Sequence, residues 1–92
     1  MHAVVVTVNI AAGQFEHSRK SLQDNVVPRV KQAPGLVKAY WSISGDKGHG
    51  LSFLVFKTQQ DAENAAKMVG NSPMPPGVTP AGVEIREVVA EA

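Results

Sequence analysis

Asn9 is the first side chain whose setting is chemically informative. It interrupts the apolar run Val4-Val5-Val6-Thr7-Val8 just before Ile10, and an amide on an apolar strand costs about 2–7 kcal/mol unless it is hydrogen-bonded. It reads either as a satisfied strand asparagine or as a donor that orients a substrate or dioxygen. His17, next to Glu16, and His49, between Gly48 and Gly50, are acid/base candidates because imidazole titrates near neutrality. His2 is a third histidine, near the start of the sequence. Tyr40 and Trp41 are neighbours, so on a strand their rings point to opposite faces, each as a core or interface anchor or as a surface for a ligand to stack on. Asn9, His17 and Trp41 are the candidate catalytic residues. The chemistry they could share is polarisation of, or proton transfer to, an apolar and aromatic molecule.

Louder chemistries lack their residue sets. The three histidines show no i,i+4 or other ligand spacing, so no metal site is expected. There is no GxSxG elbow, Walker loop or dinucleotide fingerprint, and no cofactor is expected. Gly45, Gly48 and Gly50 precede a strand and not a helix, so they read as hairpin glycines and not as a phosphate cradle. Nine basic and eight acidic side chains leave a net charge of +1, and no half of the chain is a basic block. A nucleic-acid partner is therefore not expected. No apolar run approaches the roughly 20 residues that span a bilayer, so no membrane partner is expected either. The first residues lack a charged segment followed by a long apolar one, and there is no cysteine; the expected location is the cytoplasm.

The elements that must hold these residues are short. Residues 4–10 are β-branched and apolar on both alternating faces, which reads as a strand covered on both sides. Gly13 breaks the chain. From Phe15, apolar residues recur at Leu22, Val26 and Val30, one stripe of a helix whose other sides carry Glu16, Arg19, Lys20, Gln23 and Lys31. Pro28 cannot donate to the carbonyl of Asp24, which predicts a kink or break near residues 25–27. Pro34-Gly35 ends this helix. Residues 36–44 read as the second strand, with Val37, Ala39, Trp41 and Ile43 on one face and Lys38, Tyr40, Ser42 and Ser44 on the other. A glycine-rich turn over 45–50 joins it to a third strand over 51–57, making a hairpin. Thr58 is a good N-cap for a second helix with Ala62, Ala65, Ala66 and Val69 on its buried face, Glu63 and Lys67 paired, and Gly70 as its stop. Residues 70–82 hold four of the six prolines and read as a long loop. Residues 83–89 are the last strand, and 90–92 are expected to be frayed.

Strand, helix, hairpin, helix, strand is the ferredoxin-like β-α-β-β-α-β order, an α+β domain over residues 1–92 with a four-stranded antiparallel sheet and both helices on one face. A domain of this size buries only roughly 60–65% of its unfolded surface, and without cysteine it has no disulfide to add. Its strands are apolar on both sides while the helices shield one, and a naked apolar sheet face is not tolerated on a soluble monomer. A homodimer packed through the second face is the expected solution.

The stretches Val27-Pro28-Arg29-Val30-Lys31-Gln32-Ala33-Pro34-Gly35-Leu36-Val37 and Phe56-Lys57-Thr58-Gln59-Gln60-Asp61-Ala62 make the resemblance specific. The first is similar to the first-helix exit of the dimeric α/β-barrel superfamily, and the second to its lead-in to helix two. The nearest group is the antibiotic-biosynthesis-monooxygenase-like family. The resemblance covers nearly the whole chain and implies two sheets face to face with helices outside. Members include cofactor-free oxygenases of polycyclic aromatics and haem-degrading enzymes. Asn9 resembles the strand-one asparagine of the haem-degrading members, but their tryptophan and haem-ligating histidine lie around and after helix two, where residues 70–82 carry neither. Haem degradation is therefore not expected.

Three functional classes follow. The first is a cofactor-independent monooxygenase acting on an apolar or aromatic small molecule, with a pocket between sheet and helices and the proline-rich loop as its lid. A dry pocket with one or two donors suffices for such chemistry, which explains the absence of a loud motif. The second is a non-catalytic dimer that binds a small molecule or serves in assembly. The third is an RNA-recognition-motif-like binder: residues 49–56 partly resemble that family's third-strand octamer. Base stacking needs aromatic platforms, however, and Leu51 and Val6 occupy two of the three positions, leaving only Phe53.

Overall fold

The computed structural model describes the whole chain, residues 1–92. Four strands, β1 (His2–Ile10), β2 (Leu36–Ile43), β3 (His49–Phe56) and β4 (Val78–Glu87), form one antiparallel sheet in the order β2-β3-β1-β4. The helical elements are α1 (Phe15–Ser21), a π-helical turn (Leu22–Val26), α2 (Val27–Lys31) and α3 (Gln59–Asn71). The first three run on as one rod, so the β-α-β-β-α-β order read from the sequence is the observed one.

β1 is central, and its register sets the faces. Val4 lies opposite Leu54 and Ile85, and Val6 opposite Ser52 and Val83. Val4, Val6, Leu54 and Phe56 thereby meet Ala62 and Ala65 of α3 in the core. The alanine face lets α3 lie close against β1, β3 and β4. Thr58 starts α3 as expected, its Oγ1 accepting from the Asp61 N–H at 3.1 Å. At the turn into β2, Gly35 has φ +78°, and a Cβ there would run into the Asp61 carboxylate. Only glycine lets the two turns pack against each other.

The remaining details depart from the sequence reading. The rod is irregular where Pro28 predicted it, near residues 25–27, but it does not break. It widens, with the Val27 N–H donating to the Leu22 carbonyl five residues back. A π turn of this kind accommodates a proline without ending the helix. It also suits the apolar stripe: a step of four overshoots an α-helical turn by about 40°, whereas the wider turn keeps Leu22, Val26 and Val30 in line.

In β2 a bulge falls between Leu36 and Lys38, which lie opposite Phe56 and Val55. The extra residue is Val37. It is 46% exposed, and Leu36 takes its place beside Ala39 and Trp41 against the core. Helix α3 runs through Gly70 to Asn71 and ends where Ser72 turns extended, because Pro73 disfavours helical geometry in the residue before it. Glu63 and Lys67 form no ion pair; Glu63 accepts instead from Gln59 Nε2 at 3.4 Å. The last strand begins at Val78, so the proline-rich loop shrinks to residues 72–77. Pro80 is tolerated because β4 is an edge strand, and a bulge beside it pairs Thr7 with Gly82 but Val8 with Pro80.

The face of the sheet away from the helices is apolar at its centre. Val5, Phe53 and Val55 are half-buried there, while Tyr40 and Leu51 are 60% and 44% exposed. Lys38, Glu84 and Arg86 stand around them. Only eight residues of the chain are buried, so the single-chain interior is thin.

Candidate functional site

The alanines of α3 bring that helix down onto the sheet, whereas the larger side chains of the first rod hold it farther off. A cavity of about 280 Å³ remains between rod and sheet. Val6, Val8, Trp41, Ile43 and Leu54 form its floor, and Phe15, Leu22, Val26 and Val30 its roof. Met68, Val69, Met74 and Pro75 close one end. The loop over 72–77 is therefore part of the wall, and Ala11, just past β1, donates to the carbonyl of its last residue, Gly77, at 2.8 Å. Gly50 lines the floor too: a Cβ there would come within 2.9 Å of Val8 Cγ2, so the absence of a side chain leaves room beside Val8. Lys47 of the β2–β3 turn lies 5.0 Å from the centre of the Phe15 ring, a cation–π contact between hairpin and rod.

Of 27 lining residues 18 are hydrophobic, and the polar minority decides what the space can do. Ser18 is buried and donates to the Phe15 carbonyl at 2.9 Å. Ser72 donates to the Met68 carbonyl at 2.7 Å. The only charged lining groups are Arg19 and Arg29; no aspartate, glutamate or histidine lines the cavity. Arg19 is paired with Glu16 at 3.1 Å, and Arg29 is in neither of the chain's two ion pairs.

The three candidate catalytic residues are not brought together. Trp41 lines the cavity. His17 is exposed on α1 and does not line it. Asn9 is exposed on the opposite face of the sheet, where its Oδ1 lies 3.0 Å from Nδ1 of His49 across β1 and β3. Thr7, Ser42 and Ser44 border a shallow hollow around that pair. Beside it, Asp46 accepts from Ser44 Oγ at 2.6 Å and from the Gly48 N–H at 2.9 Å, bonds that hold its carboxyl below the ordinary value of 3.8. His2 Nδ1 is buried without a partner. No group of three or more His, Asp or Glu side chains converges as metal ligands would, and no helix is long and apolar enough to cross a membrane.

Arg19 and Arg29 are the residues that sequence reading missed, Arg19 having been placed on the outer sides of its helix. Helical geometry carried the signal. Arg19 stands three before Leu22 and Arg29 three after Val26, both on the flank of the apolar stripe. Ser18 and Gly50 had no comparable signal, because their roles depend on non-local packing.

No protein-family model matches the chain, and no curated protein matches it. Solved structures do. A mutant of MhuD with two manganese protoporphyrin IX molecules bound per active site superposes with a TM-score of 0.73 at 14% identity, over 100% of this chain and 98% of that one. HapK from Hahella chejuensis gives 0.73 at 10% identity over 100% and 96%. A monooxygenase, ActVA-Orf6 of Streptomyces coelicolor, in complex with nanaomycin D gives 0.57 at 13% identity over 99% and 92%. The chain therefore shares the ferredoxin-like β-α-β-β-α-β fold of these solved structures, one of them a monooxygenase. At these identities the likeness is one of fold. A porphyrin does not fit the cavity residues: haem iron is held by His, Cys or Tyr, or by Met together with His, and none of the first three lines the space.

Proposed function

We propose that the chain acts as a homodimer, joined through the open face of its sheet, and binds an apolar, aromatic small molecule in the cavity between rod and sheet, oxygenating it without a cofactor. The observation that carries this reading is the cavity itself. It is lined mostly by apolar side chains and of ligand size, and three aromatic rings, Phe15, Trp41 and Phe56, line it. Such a space takes flat hydrocarbon rings. MhuD and ActVA-Orf6 hold ring systems, a porphyrin and nanaomycin D, on the same fold.

The chemistry that suits this wall is direct reduction of dioxygen by an electron-rich substrate. A methylene activated by flanking phenol or enol groups loses two hydrogens and becomes a carbonyl. One oxygen atom of O2 enters the product and the other leaves as water, all four electrons coming from the substrate. Trp41 supplies a stacking face and an N–H donor, and the apolar wall strengthens each polar contact within it. Asn9 and His17 lie outside this wall, and the reading assigns them no direct contact with the substrate.

The lack of any acid/base side chain in the cavity favours a second reading, a dimer that binds the same class of molecule without turning it over. Oxygen uptake separates the two. Under the first reading, an anthrone-type phenol quenches Trp41 fluorescence and drives stoichiometric O2 consumption, which Trp41→Ala abolishes. Quenching without O2 consumption establishes the second. A phenol that neither quenches nor is consumed overturns both.

A further inference from the structure

We infer that the cavity takes its ligand as an anion, held by Arg29 at the mouth while the rings lie inside; this rests on the small-molecule reading above and names the chemical class. The charge distribution carries the inference. Every ionisable lining group is cationic, and no carboxylate faces them across the cavity. Arg19 is already engaged by Glu16, at 3.1 Å. Arg29 sits on α2 between the lining residues Val26 and Val30, exposed and in no ion pair.

Its stem can run along the apolar wall while the guanidinium stays at the rim. A guanidinium offers donors in a planar fork that fits two oxygens of a carboxylate, a sulfonate or a hydroxyketone enolate. The ligand class is therefore a flat ring system with one acidic group at its edge. If that acid is a phenol or enol, Arg29 also lowers its pKa and supplies the electron-rich anion without a built-in base. That relates the arginine to the absence of histidine and carboxylate from the wall.

A pair of probes isolates the charge. 8-Anilinonaphthalene-1-sulfonate and N-phenyl-1-naphthylamine share one ring skeleton and differ by the sulfonate. Trp41 is the only tryptophan, so energy transfer from it reports binding. The expected result is that wild type binds the sulfonate about tenfold more tightly than the neutral amine, by one charge-assisted contact. Arg29→Leu should weaken the sulfonate about tenfold and leave the amine unchanged, with Arg29→Lys between. Equal binding of both probes, insensitive to Arg29→Leu, overturns the anion inference while leaving the cavity reading in place. Failure of both probes to bind overturns the cavity reading as well.

Discussion

Asn9 and His49 meet across β1 and β3, the amide oxygen 3.0 Å from Nδ1 of the ring. An amide oxygen only accepts, so the neutral imidazole must carry its proton on Nδ1 and present a free lone pair at Nε2. The expected 15N shifts of neutral His49 are those of the Nδ1–H tautomer. Asn9→Ala should return the ring to the Nε2–H form and cost about 1 kcal/mol or less. An Nε2–H ring in wild type would show that the amide is turned the other way.

The Asp46 carboxyl is held low by Ser44 Oγ first and the Gly48 N–H second. A carboxyl more acidic folded than unfolded stabilises the fold above its unfolded value of 3.8, and that contribution fades as the pH falls through the lowered one. Thermal melts between about pH 5 and about pH 2 should therefore show a steeper loss for wild type than for Asp46→Asn. Parallel curves would show that the turn does not depend on this charge.

Gly50→Ala sets a Cβ 2.9 Å from Val8 Cγ2 and 3.8 Å from Ile10 Cδ1. The Val8 methyl must yield, at about 1–3 kcal/mol. The cavity shortens at that end, so naphthyl probes should bind several-fold more weakly even where the variant is fully folded, as titration against Trp41 emission would read. Undiminished binding would place the rings away from Gly50 and Val8.

The open sheet face gives the clearest test of association. Wild type is expected to sediment as a dimer at micromolar concentration. Leu51→Glu and Phe53→Lys put charges on the centre of that face and should yield monomers with lower melting temperatures. Variants that sediment as wild type would exclude this face as the contact.

Strand order and helix placement were legible because composition, periodicity and turn residues are local signals: Val4 to Val8 are β-branched throughout, Thr58 caps, and Gly35 turns. Three misjudged positions share a cause. Val37 lost its inward place to a bulge, Gly70 did not stop α3, and Val78 began a strand in a proline-rich stretch. Each depends on what a neighbouring strand or a following proline allows. The strand alone showed that Tyr40 and Trp41 face opposite ways, and the packing under the rod decides that Trp41 is the one that lines the cavity. Asn9 looked buried because its own strand is apolar, yet it sits at the exposed end of the sheet beside His49. Arg29 escaped because a charged residue beside an apolar stripe reads as solvent-facing until the space under it is known.

Eight side chains out of water in 92 residues make the folding equilibrium subject to mass action. Whatever binds the folded chain and not the unfolded one shifts its melting by linkage, and a ligand at a hundred times its Kd adds about 2.7 kcal/mol. In a polypeptide with so little interior of its own, such a gain is a sizeable share of the whole stability. Its lifetime in a cell would then follow the supply of what it binds.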